Sequence, residues 1–92
     1  MTWTVRQTRR FARAYKKLHL NLLQAVDQAV AEIAEDPDRG ERKRGDLAEL
    51  WVYRFRCQEQ AYLLGYTRDD GIHLIYLEAL GSRENSYREP KR

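Results

Sequence analysis

A chain of 92 residues is long enough for one compact domain and too short for two, because each half would bury too little apolar surface to fold alone. Charged residues make up 34%, no apolar run approaches the roughly 18 residues of a membrane span, and no signal-peptide pattern opens the chain. The single cysteine, Cys57, excludes an internal disulfide and a metal site built from several cysteines. We therefore expect one cytoplasmic domain over residues 1–92, with no membrane association.

The net charge of +3 is distributed unevenly along the chain. Residues 1–20 contain six basic side chains and no acidic one, whereas residues 21–41 contain six acidic side chains and one basic one. Clustered basic charge favours a phosphate-bearing or acidic partner. The alternative is that the first cluster only solvates the exposed face of a helix.

Two helices are predicted after a short strand near residues 2–6, where apolar and polar side chains alternate. Thr8 precedes an apolar stripe of helical period and is the predicted N-cap of the first helix. Asn21 and Gln24 have the spacing of a capping box at the start of the second helix. That helix should end near Asp36-Pro37, because proline disfavours a helical residue before it.

Three apolar runs in the second half predict three strands, at residues 50–57, 61–66 and 72–80. The polar residues 37–46 before them are predicted as a connecting loop, and Arg68-Asp69-Asp70-Gly71 as a hairpin turn. The predicted order is β-α-α-β-β-β. The fold class is therefore α+β, with two helices packed on one face of a small antiparallel sheet.

The first of these three strands separates two kinds of side chain. Its alternation places Arg54 and Arg56 side by side on one face and the following residues on the other: Trp51, Tyr53, Phe55 and Cys57. Two adjacent guanidinium groups repel each other unless an anion compensates them, so this face is suited to a phosphodiester. The alternative is a solvent-facing edge with no ligand.

The C-terminal segment contributes a further cation and a ring. Arg83 and Tyr87 are four residues apart, so one helical turn would place both on the same side. Arginine can stabilise charge on a phosphate, and tyrosine can stack on a base or transfer a proton, although a terminal tyrosine can also simply pack on a sheet. His19 and His73 stand alone in the sequence, and no glycine-rich phosphate loop or metal-ligand spacing occurs. We expect no metal, no cofactor and no small-molecule ligand.

The whole order of features resembles the RelE/ParE superfamily of bacterial type II toxins. The resemblance extends over nearly the full chain and rests on these stretches: Phe11–Leu18, Asp36-Pro37, Lys43–Leu47, Val52–Arg56, Gln60–Tyr66 and Arg83–Arg88. It implies the sheet-and-two-helix fold given above and a growth inhibitor held inactive by a cognate antitoxin. It also implies one of two targets, mRNA on the ribosome or DNA gyrase.

The ribonuclease branch of the superfamily implies a role for each candidate residue. The RNA 2′-hydroxyl attacks the neighbouring phosphate; Arg54 and Arg56 would orient that phosphate or assist proton transfer, Arg83 would stabilise it, and Tyr87 would stack on a base. Leu63 stands where that branch has a further basic residue, and Tyr87 is closer to Arg83 than the family's terminal tyrosine is to its arginine.

We predict a metal-independent endoribonuclease that cleaves mRNA on the ribosome, with those four residues as its catalytic set. The alternative is a gyrase poison, for which the basic helix of residues 9–18 could supply part of the binding surface. A DNA-binding regulator is less well supported, because no helix-turn-helix spacing is present.

Overall fold

The structure, a computed structural model, describes residues 2–43 and 50–82. Within these ranges the five strands form one sheet in the order β1-β5-β4-β3-β2, and both α-helices lie between β1 and β2 in the chain. None of the described helices has the length and apolarity needed to span a membrane. The elements are β1 (Thr4–Gln7), α1 (Arg9–Lys16), α2 (Leu20–Glu35), a short 3-10 helix (Pro37–Arg39), β2 (Glu41–Lys43), β3 (Leu50–Cys57), β4 (Gln60–Asp69) and β5 (Leu74–Ser82).

Thr8 caps α1, as predicted, and also attaches it to the sheet. Its hydroxyl oxygen accepts a hydrogen bond from the backbone N–H of Phe11 at 3.2 Å and donates one to the carbonyl oxygen of Leu77 at 3.1 Å. The backbone N–H of Thr8 bonds the same carbonyl at 3.0 Å. One side chain therefore fixes both the start of α1 and its position beside β5.

The second helix begins earlier than the predicted capping box at Asn21. It starts at Leu20 after His19, which makes no side-chain capping bond. The backbone N–H of Leu23 already bonds the carbonyl of His19 at 2.8 Å, so the first turn is closed by the backbone and does not depend on a polar cap. The predicted end is confirmed, because Glu35 is the last helical residue and Pro37 follows two residues later.

The apolar stripes of both helices cover one face of the sheet. Trp51, Tyr53 and Phe55 pack against this core, and the Cys57 thiol lies 3.9 Å from the carbonyl oxygen of Asn21 in α2, so the predicted inner face of β3 is confirmed. The buried residues of the core are Phe11, Val26, Ala29, Ile33, Leu64, Tyr66, Ile75 and Leu77.

The predicted fold class is confirmed, and the structure adds detail to its sheet. The three predicted strands of the second half form the expected antiparallel meander, whereas β1 pairs in parallel with β5 and makes the complete sheet mixed. The turn between β4 and β5 comes two residues later than predicted, because β4 extends to Asp69.

The loop prediction for residues 37–46 is wrong over its first part. A turn of 3-10 helix occupies Pro37–Arg39, and Glu41–Lys43 form the edge strand β2 against β3. Three consecutive charged residues give no apolar alternation, so the sequence has no strand signal here and the strand depends on backbone pairing. Residues 44–46 lie outside the described ranges.

Tyr66 connects the core to the segment that leads into β2. Its side chain is fully buried, its hydroxyl donates to the carbonyl oxygen of Pro37, and the hydroxyl oxygen accepts from the backbone N–H of Gly40 at 3.2 Å. A side chain at Gly40 would collide with this hydroxyl, since a Cβ there would lie 2.3 Å from it. Burial raises the pKa of Tyr66 to about 12, although the Gly40 N–H acts in the opposite direction.

We expect Thr8→Val to lower the free energy of unfolding by about 1–2 kcal/mol, because it keeps the shape and loses both hydroxyl bonds. Thr8→Ser keeps the hydroxyl and should remain within about 0.5 kcal/mol of the parent. Urea unfolding monitored by circular dichroism measures both variants. Equal midpoints for the two variants would show that the hydroxyl has no such role.

The buried phenol should make the fold sensitive to alkali. The folded chain keeps the Tyr66 proton up to a pH of about 12, whereas an unfolded tyrosine loses it near 10. The unfolded state therefore binds fewer protons between these values, and stability falls as pH rises through the interval, by up to about 3 kcal/mol. Tyr66→Phe should flatten the decline in urea midpoint between pH 10 and 12, and Tyr76→Phe, at an exposed tyrosine, should leave it unchanged.

Candidate nucleic-acid interface

The face of the sheet opposite the helices holds the predicted pair of cations. Arg54 and Arg56 are both exposed there, because the residues between and beside them on β3 pack into the core. The register of the edge strand pairs Glu41 with Val52 and Lys43 with Leu50. Glu41 and Lys43 therefore share this outer face with Arg54 and Arg56.

Arg54 has an anionic partner within the chain. Its Nη2 lies 3.1 Å from Oε1 of Glu41, and the same carboxylate oxygen lies 3.8 Å from Nζ of Lys43. The side chains of Arg54 and Glu41 are 53% and 56% exposed, so water screens the contact and its net contribution to stability is small. An incoming phosphate can therefore replace the carboxylate at low cost.

Arg56 is held by the turn that follows its strand. One of its guanidinium N–H groups donates to the carbonyl oxygen of Glu59 at 3.2 Å, and as far as the described residues go the other donors of the guanidinium are left for a ligand. Gln58 and Glu59 form the turn with φ values of 53° and 70°, in the left-handed region that normally favours glycine or asparagine. The tight turn thus positions the acceptor that orients Arg56.

Leu63 lies opposite Arg54 on β4 and is only 5% exposed. Val52, two residues before Arg54 on β3, is similarly buried. The residue at the position that is basic in the ribonuclease branch is therefore a buried apolar side chain here, and it can neither donate a hydrogen bond nor carry charge to a phosphate.

Arg68 is a cation of a different kind, on the helix side of the sheet. Its guanidinium carbon lies 5.1 Å from the ring centre of Trp3 and 4.7 Å from that of Trp51, and it pairs with Asp38 at 2.6 Å and Asp70 at 2.9 Å. Burial disfavours the charge, but the hydrogen bonds of the two carboxylates outweigh it and raise the pKa of Arg68. The role of Arg68 is structural, and no pattern in the sequence indicated this cluster.

The basic first helix forms a second charged surface, on the other side of the sheet from Arg54. α1 packs on β5 through the buried Phe11, and its charged side chains are exposed. In the part of the chain that the structure describes, none of these side chains makes an ion pair: Arg9, Arg10, Arg13, Lys16 and Lys17.

Neither histidine adjoins the two cations of β3. His19 precedes α2 and is exposed, whereas His73 packs edge-on against Trp3, with 4.8 Å between ring centres. His19 thus lies at the surface, and His73 has a packing role.

Comparison with known proteins identifies the family. A model of the ParE-like toxin of type II bacterial toxin-antitoxin systems matches residues 5–91. The chain belongs to this family. It is thus a type II toxin of the RelE/ParE group, and the resemblance found in its sequence is confirmed. Among curated protein sequences, none gives a significant match.

Solved structures support the same fold for the toxin. A chain of the RelBE2 toxin-antitoxin complex from Mycobacterium tuberculosis is 26% identical, with a TM-score of 0.78 over 90% of this chain and 100% of that one. A mutant of Escherichia coli RelE in the free state is 22% identical, with a TM-score of 0.71 over 94% and 88% of the two chains. The archaeal RelE-RelB complex from Pyrococcus horikoshii gives 17% identity and a TM-score of 0.65, with coverage of 90% and 97%.

The structure brings together part of the set predicted for the toxin. Arg54 and Arg56 lie side by side on the outer face as expected, whereas Arg83 and Tyr87 lie outside the described residues. Glu41 was missed by sequence reasoning. The alternating charges of Glu41-Arg42-Lys43 were visible, but only the strand register shows that the acidic member lies beside Arg54.

Introducing the missing charge should destabilise the toxin. Leu63→Arg places a cation at a buried position, and we expect it to lower the free energy of unfolding by about 3 kcal/mol. Leu63→Met changes the shape of the side chain but adds no charge. It should lower the free energy of unfolding by less than about 1.5 kcal/mol. Urea midpoints provide the comparison, and a Leu63→Arg toxin with the midpoint of the parent would show that this position is open to solvent.

Proposed function

We propose that the toxin arrests growth by cutting mRNA on the ribosome. The observation that carries this proposal is the pair of exposed guanidinium groups of Arg54 and Arg56, on the face of the sheet opposite α1 and α2. Each can donate two parallel hydrogen bonds to phosphate oxygens, which is the geometry in which arginine binds a phosphodiester best. Both are on a strand of the sheet, so their backbone positions are fixed before RNA arrives.

In the proposed reaction the RNA supplies its own nucleophile. The 2′-hydroxyl loses its proton as its oxygen attacks the adjacent phosphorus. The bond from phosphorus to the 5′-oxygen of the next nucleotide breaks, that 5′-oxygen takes up a proton, and a cyclic phosphate remains. Arg54 and Arg56 neutralise the phosphate oxygens while charge accumulates on them. By the family resemblance, Arg83 would add to this stabilisation and Tyr87 would stack on a base.

The proposed dependence on the ribosome rests on which groups the described residues place on this face of the sheet. His19 and His73 lie elsewhere, and Leu63 offers no charge, so neither described histidine and no cation at Leu63 assists Arg54 and Arg56 in the reaction. Holding the 2′-oxygen in line with the scissile bond can then supply much of the acceleration. We propose that the ribosome, in the cytoplasm, supplies this alignment, and that free RNA is cut slowly.

A cognate antitoxin is the second proposed partner. The related chains from Mycobacterium tuberculosis and Pyrococcus horikoshii were solved in toxin-antitoxin complexes. The net charge of +3 and the exposed cations of α1 fit an acidic partner. We propose that such an antitoxin holds this toxin inactive.

Poisoning of DNA gyrase is the alternative, and two observations favour it. Leu63 is buried where a ribonuclease of this family has a basic residue, and Arg54 is already paired with Glu41. A gyrase-binding toxin requires a complementary surface, and it has no need of a phosphate-cleaving set. The exposed cations of α1 could then form part of that surface.

RNA and DNA ends mapped within minutes of induction separate the two mechanisms. We expect early transcript breaks inside translated regions with intact chromosomal DNA, and loss of the breaks when translation is blocked. Early double-strand DNA breaks with intact transcripts would instead establish the gyrase mechanism.

Arginine variants test the proposed site itself. Arg54→Ala, Arg56→Ala and Arg83→Ala should each reduce transcript cleavage and growth arrest by tenfold or more, since each removes a charge that stabilises the reacting phosphate. Arg13→Ala on α1 removes the same charge from the other basic surface and is the matched control. Folding is verified by thermal melts. Full toxicity in folded Arg54→Ala and Arg56→Ala proteins would rule out the phosphate site on β3.

A further inference from the structure

Within the described residues, Glu41 is the acidic side chain that forms an ion pair with Arg54. We propose that Glu41 is an internal competitor for the RNA phosphate, occupying Arg54 until a correctly presented substrate displaces it. This inference rests on the proposed function, because it assigns a regulatory residue to the same phosphate site.

The sheet holds the competing carboxylate in place. Glu41 pairs with Val52 across β2 and β3, so its side chain emerges on the outer face next to Arg54, which is two residues further along β3. Lys43, on the same face, lies 3.8 Å from the same oxygen and keeps the carboxylate within the cation cluster. The position of the negative charge is therefore fixed by backbone pairing and does not depend on a flexible loop.

The ion pair between Arg54 and Glu41 can also break. More than half of each side chain in the Arg54–Glu41 pair is exposed, and exposed ion pairs are weak because water and salt screen them. An approaching phosphate would have to displace the carboxylate from Arg54 and then remain close to its negative charge. Glu41 thus lowers affinity for RNA without blocking access to the site.

A phosphate site of reduced affinity discriminates between free RNA and RNA that the ribosome holds in place. RNA diffusing freely must overcome the competitor through its own affinity, whereas RNA held by the ribosome is supplied at a high effective concentration. The same carboxylate would therefore contribute to the preference for ribosome-bound mRNA. Its role is regulatory, and no bond is made or broken at Glu41.

Binding of a non-cleavable RNA to the purified full-length toxin tests this role. The probe is a fluorescently labelled, fully 2′-O-methylated single strand of about ten nucleotides, titrated by anisotropy at about 50 mM salt. Glu41→Gln should bind it about three- to tenfold more tightly than the parent. Glu35→Gln makes the same charge change at an exposed position at the end of α2 and should tighten binding less than about twofold.

A double variant shows whether the effect passes through Arg54. In an Arg54→Ala background, Glu41→Gln should tighten binding no more than Glu35→Gln does. Glu41→Ala, which also removes the negative charge but shortens the side chain, should reproduce Glu41→Gln, because the pairing of Glu41 with Val52 is made by the backbone. Thermal melts of every variant identify any change in folding.

The outcomes distinguish this inference from the proposed function. If Arg54→Ala weakens RNA binding and growth arrest but Glu41→Gln matches Glu35→Gln or binds more weakly, the phosphate site stands and the competitor role is rejected. A gain in RNA affinity from Glu41→Gln that persists in the Arg54→Ala background also rejects the competitor role. The gain would then come from the change in the overall charge of the protein. If Arg54→Ala changes neither RNA binding nor growth arrest, the proposed function itself fails.

Discussion

Burial of one face of β3 against the helices fixes which side chains remain on the other face. Tyr53 and Phe55 belong to the inner face, so Arg54 and Arg56 must emerge on the outer one. A slip of one residue in the strand register would bury both guanidinium groups and expose the aromatic rings. The free-energy cost would exceed the stability of a domain of this size. The energy that folds the domain therefore also positions its cations.

Two arginines of this toxin have different roles because their surroundings differ. The charge of one is held in place by several partners, whereas the charge of the other can exchange one partner for another. Arg68 lies between two indole rings, pairs with two carboxylates and has a side chain only 13% exposed. Among the residues that the structure describes, Arg54 has one carboxylate partner, and it is about half exposed. Removing Arg68 would leave two indoles and two carboxylates without their shared cation, whereas Arg54 can change partners in water. Only the second arrangement suits the reversible binding of an anion.

Local signals were sufficient to predict the elements whose ends depend on adjacent residues. Thr8 caps α1 and Pro37 follows the end of α2, because both effects act within one helical turn. The start of α2 was misplaced because its first turn closes without a side-chain cap. The parallel pairing of β1 with β5 joins residues about seventy positions apart, and the contact of Arg54 with Glu41 needs the register of β2, a strand with no apolar pattern. Long-range pairing of this kind leaves no local trace in one sequence.

In the sheet that the structure describes, β2 is an edge strand, and it connects the toxin's chemistry with its solubility. An edge strand exposes unpaired backbone groups that can recruit a strand from another molecule, and charged side chains oppose such aggregation. All three residues of β2 are charged. A lineage that neutralised Glu41 to gain affinity for RNA would also remove one of the three charges protecting this edge. Selection for tighter RNA binding and selection for a soluble toxin therefore act in opposite directions on Glu41.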